Sequence, residues 1–262
     1  MHTREEKLEA FGRLLDIMDQ LREKCPWNGE QTMESIRPMT EEEVYELSDA
    51  IVKKDIPATA KEIGDLLYHM VFYARIAQEE GLFDIADSLD KICDKMVFRH
   101  PHVFGGDDRP TTAKEIADTW ELVKAKEKGG NKTVMSGIPD AMPALLKALS
   151  MQEKARGCGF DWERREDVWD KVHEELGEVE DAVAEGDRAH MEEEFGDLLF
   201  AVINASRLYG IDPETALGGT CSKFRRRFTY LEEHTIKQGR SLKDMTLAQM
   251  DEIWDEAKAK GL

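Results

Sequence analysis

Several signals common in proteins of this length are missing. No glycine-rich phosphate loop occurs, neither GxGxxG nor a Walker-type motif, although the chain has 19 glycines. The four cysteines, Cys25, Cys93, Cys158 and Cys221, are scattered and form no CxxC, which argues against a zinc or dithiol motif. No apolar run reaches membrane length and no signal-peptide pattern is seen, so the expected setting is a reducing cytoplasm with free thiols. Valine and isoleucine do not alternate with polar residues over useful lengths, so no strand is expected.

Acid is what the chain has in excess: 55 Asp and Glu against 36 Lys and Arg, a net charge of −19. Such a chain repels nucleic acid and anionic membrane, and neither is an expected partner. A polyanionic ligand would have to be met by local cations or by metal. With 262 residues, 41% of them hydrophobic, the chain can build one large or two ordinary domains.

Helical periodicity dominates. Leu8, Phe11, Leu14, Leu15, Met18 and Leu21 mark one side of a first helix over about 4–23. Cys25-Pro26-Trp27-Asn28-Gly29 breaks it. Thr40 reads as the N-cap of a helix from Glu41, with Glu43 completing a capping box. Pro57 fits the first turn of the next helix, which Gly81 ends. A fourth helix is expected over about 84–99, then a loop at 100–106, then a helix bearing Trp120 and Lys124. Gly129 to Lys132 and the SGIPDAMP stretch (136–143) read as a linker, and a further helix follows over about 141–156.

The densest chemistry lies between Lys171 and Asp197. HEELGE puts Glu175 and Glu178 on one helix face, and EEEFGD puts Glu194 and Asp197 on one face of the next, because positions three and four apart share a side. The GDRAH connection is short, so the two helices should be antiparallel neighbours. If the faces meet, four carboxylates converge. Two carboxylates ~4 Å apart repel by roughly 4 kcal/mol at an effective dielectric near 20. An all-oxygen cluster therefore calls for a hard cation, Mg²⁺ or in its place Mn²⁺. An isolated acidic pair in so acidic a chain is more simply a solvated helix face.

Here the pattern occurs twice. A shift of 132 residues carries Glu43, Glu46, Glu62 and Asp65 onto Glu175, Glu178, Glu194 and Asp197. EIGDLL and EFGDLL coincide, Lys95 to Arg99 matches Lys223 to Arg227 in spacing, and Trp120-x-x-x-Lys124 matches Trp254-x-x-x-Lys258. A period this long indicates two homologous domains rather than a solenoid. The expected limits are 1–128, a linker at 129–140, and 141–262. The copies differ in cations. Lys171 has Met39 as its counterpart, Arg226 has Phe98, Arg225 has Val97, and Glu193 has Lys61. The second copy keeps Lys171, Lys223, Arg226 and Arg227, the first only Lys95 and Arg99, so the second is expected to handle a phosphate-rich ligand. The three consecutive arginines cannot all face one way, and Trp254 could stack on a base or serve packing.

At these residues the sequence resembles the MazG family of nucleoside triphosphate pyrophosphohydrolases. CPWN, Gln31-Thr32, EEVYE, EIGDLLYHMVFYAR and FRHPHVFGG carry the likeness in the first half. HEELGE, EEEFGDLLFAVINASR, KFRRRF and the terminal W-x-x-x-K carry it in the second. Two departures are Met33, where a histidine is common, and the triple arginine run. The resemblance implies an all-α tandem protein, usually a homodimer, that converts a nucleoside triphosphate to monophosphate and pyrophosphate with Mg²⁺ in its C-terminal copy, for house-cleaning or control of the nucleotide pool. It implies Glu175, Glu178, Glu194 and Asp197 as metal ligands, with Glu43, Glu46, Glu62 and Asp65 a weaker second set. It implies Lys171, Lys223, Arg226, Arg227 and Trp254 as nucleotide contacts. Glu174 or Glu193, outside the metal quartet, would orient or deprotonate the attacking water. Three alternatives stay open: a deoxynucleotide-specific (dUTP- or dCTP-type) pyrophosphatase, a non-enzymatic interaction protein, and a di-iron bundle, although the Glu-x-x-His pairs of the last are missing from the acidic clusters.

Overall fold

A computed structural model describes the chain except for residues 106–111, 113–114, 117–119, 121–122, 125–126 and 128–132. Helices account for the architecture, and no strand occurs among the described residues. The chain forms two compact units, Met1–Thr111 and Thr112–Leu262. Of the expected linker at 129–140, residues 129–132 lie outside the described residues, and Met135–Gly137 forms a single 3₁₀ turn.

The first unit holds α1 (Arg4–Lys24), the short α2 (Pro26–Glu30), α3 (Met33–Val52), α4 (Ile56–Glu79), α5 (Ile85–Arg99) and α6 (Pro101–Phe104). Caps set most of these ends. Thr3 and Glu6 form a capping box on α1, Asp55 caps α4 ahead of Pro57, and Asp84 caps α5. Such caps are each worth about 1 kcal/mol. Two expectations need correcting. Thr40 is not an N-cap: α3 starts about two turns earlier, where Thr32 and Ser35 form the capping box, and Pro38 lies inside the helix. Pro38 forfeits one backbone bond there, and the burial of Ile36 (0% exposed) favours the longer helix. Thr40 instead bonds Tyr73 through its hydroxyl, at 2.7 Å. The stretch after Arg99 is not all loop either, because Pro101 starts the one-turn α6.

Met18, Ile36, Val71, Phe72 and Ile76 make the core of this unit, with Phe11, Leu14, Leu15 and Tyr68 packed around it. Phe72 is 1% exposed. Truncating a phenylalanine so placed to alanine costs about 3–5 kcal/mol.

The second unit contains α7 (Ala144–Gly157), α8 (Val168–Glu185), α9 (Arg188–Leu208), α10 (Pro213–His234) and α11 (Leu247–Ala259). Trp120 and Lys124 are helical, with the Lys124 ammonium 5.5 Å from the Trp120 ring centre; Lys126 lies outside the described residues. Helices α8 and α9 pack closely as a hairpin, which α7 flanks, while α10 pairs with α11. The hairpin reverses through Gly186, whose φ of +76° needs no Cβ, and Asp187, which caps α9. The equivalent residue in the first unit is Lys54, at φ 57°, so both hairpins turn through the left-handed region.

The apolar stripes explain where the carboxylates go. On α8, Val168, Glu175, Val179 and Ala182 are buried and share one face by helical spacing. Glu175 is therefore carried inward by the residues that hold α8 in place. On α4, Glu62 lies on the stripe of His69, Phe72 and Ile76, all buried.

Candidate active site

One oxygen from each of Glu175, Glu194 and Asp197 lies within 4.8 Å of the others, although the residues come from two helices. Glu175 is 5% exposed, and its Oε2 is buried without a hydrogen-bond partner among the described residues. Its Oε1 meets the Lys171 ammonium at 2.6 Å, and Lys171 also donates to Glu174 at 2.9 Å. These two bonds raise the Lys171 pKa above the ordinary lysine range. Glu178, one turn beyond Glu175, is exposed and outside the converging three. Loss of solvent, and then the Glu175 carboxylate, push its carboxyl upward; Glu194 adds to this and Lys171 opposes it. Glu194 is reached by His190 Nε2 at 3.2 Å, while His190 Nδ1 faces Glu185 at 3.0 Å. The donor set suits a hard divalent cation: oxygens only, crowded together, with one buried oxygen unpaired.

Beside this cluster is a cavity of about 930 Å³ that Lys171, Glu175 and Asp197 help to line. Its apolar walls include Met135, Met151, Phe160, Trp162 and Phe200, and its polar groups include Gln152, Asn204 and Arg207. Arg207 anchors the loop that closes one wall. Its side chain is 6% exposed and Nη1 donates to Asp161 at 3.1 Å, which ties the segment after Gly159 to α9. A cavity of this size, mostly apolar with a few convergent polar groups, accepts a molecule as large as a nucleotide.

The other residues singled out from sequence are placed differently. Glu174 pairs with Lys171, and Glu193 is exposed. Lys223 and Arg226 are exposed on α10, and neither they nor Arg227 and Trp254 line the cavity. Trp254 packs on Phe224, with ring centres 5.1 Å apart, and Arg227 lies over the Trp254 ring while its Nε donates to the Leu262 carbonyl at 2.7 Å. Sequence reasoning missed Gln152, Asp161, His190, Asn204 and Arg207. A signal existed for one pair: Glu194, Asp197, Ala201 and Asn204 follow one another at helical spacing, so the acidic face of α9 continues into the cavity.

The first unit has the matching cluster, with one oxygen each of Glu43, Glu62 and Asp65 within 4.8 Å. Glu46 lies outside the three, as Glu178 does. Two features differ. The Lys61 ammonium reaches Glu62 at 2.9 Å, Asp65 at 3.2 Å and Glu46 at 3.8 Å, which puts a cation at this cluster from α4 itself. And where the second unit has Ala201 and Asn204 on its cavity, the first has His69, which is buried, and the core residue Phe72.

Comparison with known proteins gives this geometry a context. The MazG nucleotide pyrophosphohydrolase domain model matches residues 31–104 and again 164–231. Over 258 residues the chain is 42% identical to the nucleoside triphosphate pyrophosphohydrolase of Escherichia coli K12, covering 96% of this chain and 98% of that one. Over 251 residues it is 43% identical to the nucleoside triphosphate pyrophosphohydrolase/pyrophosphatase MazG of Thermotoga maritima, covering 95% of each. Both copies of the acidic helix hairpin fall within the matched segments, and on that footing the chain belongs to the MazG nucleotide pyrophosphohydrolase family.

Proposed function

We propose that this protein hydrolyses nucleoside triphosphates to monophosphate and pyrophosphate, that it needs Mg²⁺, and that the second unit does the chemistry. One observation carries the reading: three carboxylates from α8 and α9 converge beside a nucleotide-sized cavity, with a buried Glu175 oxygen that has no partner among the described residues. Relatives covering nearly the whole chain bear the name of that activity.

Glu175, Glu194 and Asp197 would hold the divalent ion, with Glu178 one turn away to complete the set. The bound ion supplies charge neutralisation at the phosphates and activation of water. In this reading Lys171 leaves Glu174 for a phosphate oxygen, a short move for a flexible side chain already on the cavity wall. Glu174 or Glu193 then accepts the proton of the water that attacks the α-phosphorus. The bond from that phosphorus to the bridging oxygen breaks, and pyrophosphate leaves with the electron pair. Lys223, Arg226, Arg227 and Trp254 would act on the nucleotide from outside the cavity.

The first unit is proposed to be catalytically silent. Lys61 already offsets its carboxylates, and Phe72 fills the position that Asn204 leaves open. The domain limits 1–128 and 141–262 around a linker at 129–140 are part of this proposal, as is a cytoplasmic setting. No helix of the described residues is long and apolar enough to cross a membrane.

A homodimer completes the proposal. Leu176, Val183, Phe195, Leu199 and Val202 are 44–62% exposed on the α8–α9 hairpin. Val44, Ile51, Ile63, Leu67 and Met70, at the same offset of 132, are exposed on α3 and α4. A repeated apolar face of this kind calls for cover, and a second helix hairpin is the natural match.

The deciding experiment is a panel of ribo- and deoxynucleoside triphosphates with Mg²⁺ and with a chelator, separating pyrophosphate from orthophosphate. Pyrophosphate plus monophosphate, lost with chelator, is the expected result, and the panel separates broad from deoxynucleotide-specific turnover. Orthophosphate plus diphosphate, or no turnover, would end the reading.

A further inference from the structure

Glu194 is held by a residue that the chemistry above leaves unused. His190 Nε2 stands 3.2 Å from Glu194 Oε1, on a carboxylate side chain that is 13% exposed. The other ring nitrogen, Nδ1, stands 3.0 Å from Glu185 Oε2. A carboxylate oxygen only accepts, so the ring N–H is the donor to Glu194. Glu185 is the last residue of α8, and His190 lies in the first turn of α9. The ring is thus pinned by one helix while it touches a carboxylate on the next, across the Gly186 turn. His190 lies one turn before Glu194 and Asp197 about one turn after it, so the imidazole approaches Glu194 from the turn end of the hairpin. The other flank of Glu194 is left to Asp197 and Glu175. His190 does not line the cavity. The bridge belongs to the second unit alone: at the offset of 132, Ala58 stands for His190 and Lys53 for Glu185.

We propose that His190 is a positioning residue: it sets the orientation of the Glu194 carboxylate, so that the second cluster is shaped for its divalent ion before the ion arrives, and Glu185 fixes the ring that does so. The inference rests on the pyrophosphohydrolase reading and adds to it a residue outside the cluster on which the cluster depends. A glutamate side chain is flexible, and restraining one carboxylate oxygen removes freedom that a cation would otherwise have to freeze on binding. Groups that hydrogen-bond a metal ligand matter generally in this way, and losing one lowers metal affinity or activity by about 10–100-fold. Glu175 is oriented by burial along the packed stripe of α8; His190 does the same for Glu194. The two units therefore hold the equivalent glutamate differently. Lys61 bonds both oxygens of Glu62 and so occupies that carboxylate, whereas His190 touches one oxygen of Glu194.

The test measures Mn²⁺ binding by calorimetry, without nucleotide, on the full chain carrying Glu43→Gln so that the second cluster alone reports. Asparagine and glutamine divide the histidine between them: an amide nitrogen at position 190 falls near Nδ1 in the first and near Nε2 in the second. His190→Asn should weaken Mn²⁺ affinity by about tenfold or more, and His190→Gln should bring it back to within about threefold of the parent chain. In Mg²⁺-dependent pyrophosphate release, the His190→Asn defect should lie in the Mg²⁺ concentration needed for half-maximal rate, with kcat at saturating Mg²⁺ within about threefold. A bridge that only braces the hairpin would lower Tm in both variants and leave Mn²⁺ affinity unchanged, which overturns the proposal. A glutamine variant that binds as weakly as the asparagine one overturns it too. If the His190 variants do not fold, Glu185→Leu frees the ring from the α8 side and should weaken Mn²⁺ binding by about threefold or more, and unchanged affinity there overturns the proposal. A parent chain that binds no Mn²⁺ defeats the metal reading itself and removes this one with it, whereas binding that is indifferent to position 190 defeats this proposal alone.

Discussion

Lys61 donates to both carboxylate oxygens of Glu62, at 3.0 and 2.9 Å, and so places a cation inside the acidic cluster of the first unit. Hydrogen bonds to Glu62 and then to Asp65 lift the Lys61 pKa well above its usual value, so the charge stays on at any ordinary pH. The equivalent residue in the second unit is Glu193. Replacing Lys61 by glutamate in a chain that also carries Glu175→Gln and Asp197→Asn should therefore create divalent-cation binding in the first unit. Mn²⁺ titration by calorimetry should show affinity at least about tenfold above the same chain with Lys61 intact, a modest figure because Lys61 is well exposed. Equal affinity in the two chains would show that Lys61 does not occupy the cluster.

The carboxylates of the two units should separate cleanly in activity. Glu175→Gln or Asp197→Asn is expected to reduce pyrophosphate release by about a hundredfold or more, since the metal and the phosphates both depend on them. Glu43→Gln and Asp65→Asn should leave it within about twofold. Comparable losses from both pairs would remove the assignment of chemistry to the second unit.

The Asp161–Arg207 pair gives the cavity wall a pH signature. Burial alone would raise the Asp161 carboxyl, but the Arg207 guanidinium and the Trp162 N–H outweigh it and hold the carboxyl below the usual range. A carboxyl depressed in the folded state adds stability that is complete above its unfolded value, about 3.9, and that disappears as pH falls through the lower folded value. Asp161→Asn should thus lower Tm by about 2–6 °C near neutral pH, and the gap to wild type should narrow as pH falls below about 3.9. A gap that persists unchanged into acid would mean the ionised pair is not what holds the loop.

Association should depend on the exposed face of the hairpins. Leu199 is 62% exposed at the centre of the α9 stripe, and Leu67 is its counterpart on α4. Light scattering should give twice the 29.9 kDa chain mass for the wild-type protein and the single mass for Leu199→Glu, because a buried, unpaired carboxylate is strongly unfavourable at an interface. Leu67→Glu reports whether the first hairpin also takes part. A wild-type monomer, or a dimer indifferent to both changes, would rule out these faces as the contact.

Features set by neighbouring residues are legible in the sequence, and features set by distant ones are not. Helix periodicity placed α1, α4 and α5 within a residue or two, because an apolar stripe and a capping residue lie within one turn of each other. It misplaced the start of α3: Thr32 and Thr40 are both followed by good capping partners, and only the burial of Ile36 in the core decides between them. The paired acidic faces were legible from spacing. The Lys61 bonds were not, since a lysine one residue from Glu62 points by default to another side of the helix, and only its long stem brings it back.

By itself, then, the sequence determined the helical class, the duplication at an offset of 132 residues and the acidic faces, all of which follow from spacing along one helix. Tertiary structure decided which three of each four carboxylates converge, which ammonium meets them, and that a cavity exists in the second unit. Gln152 and Phe200 are 48 residues apart, as the bond between them shows, and no short-range pattern encodes such a contact. It arises only when α7 is packed onto α9, where exclusion of water makes a single unpaired oxygen matter.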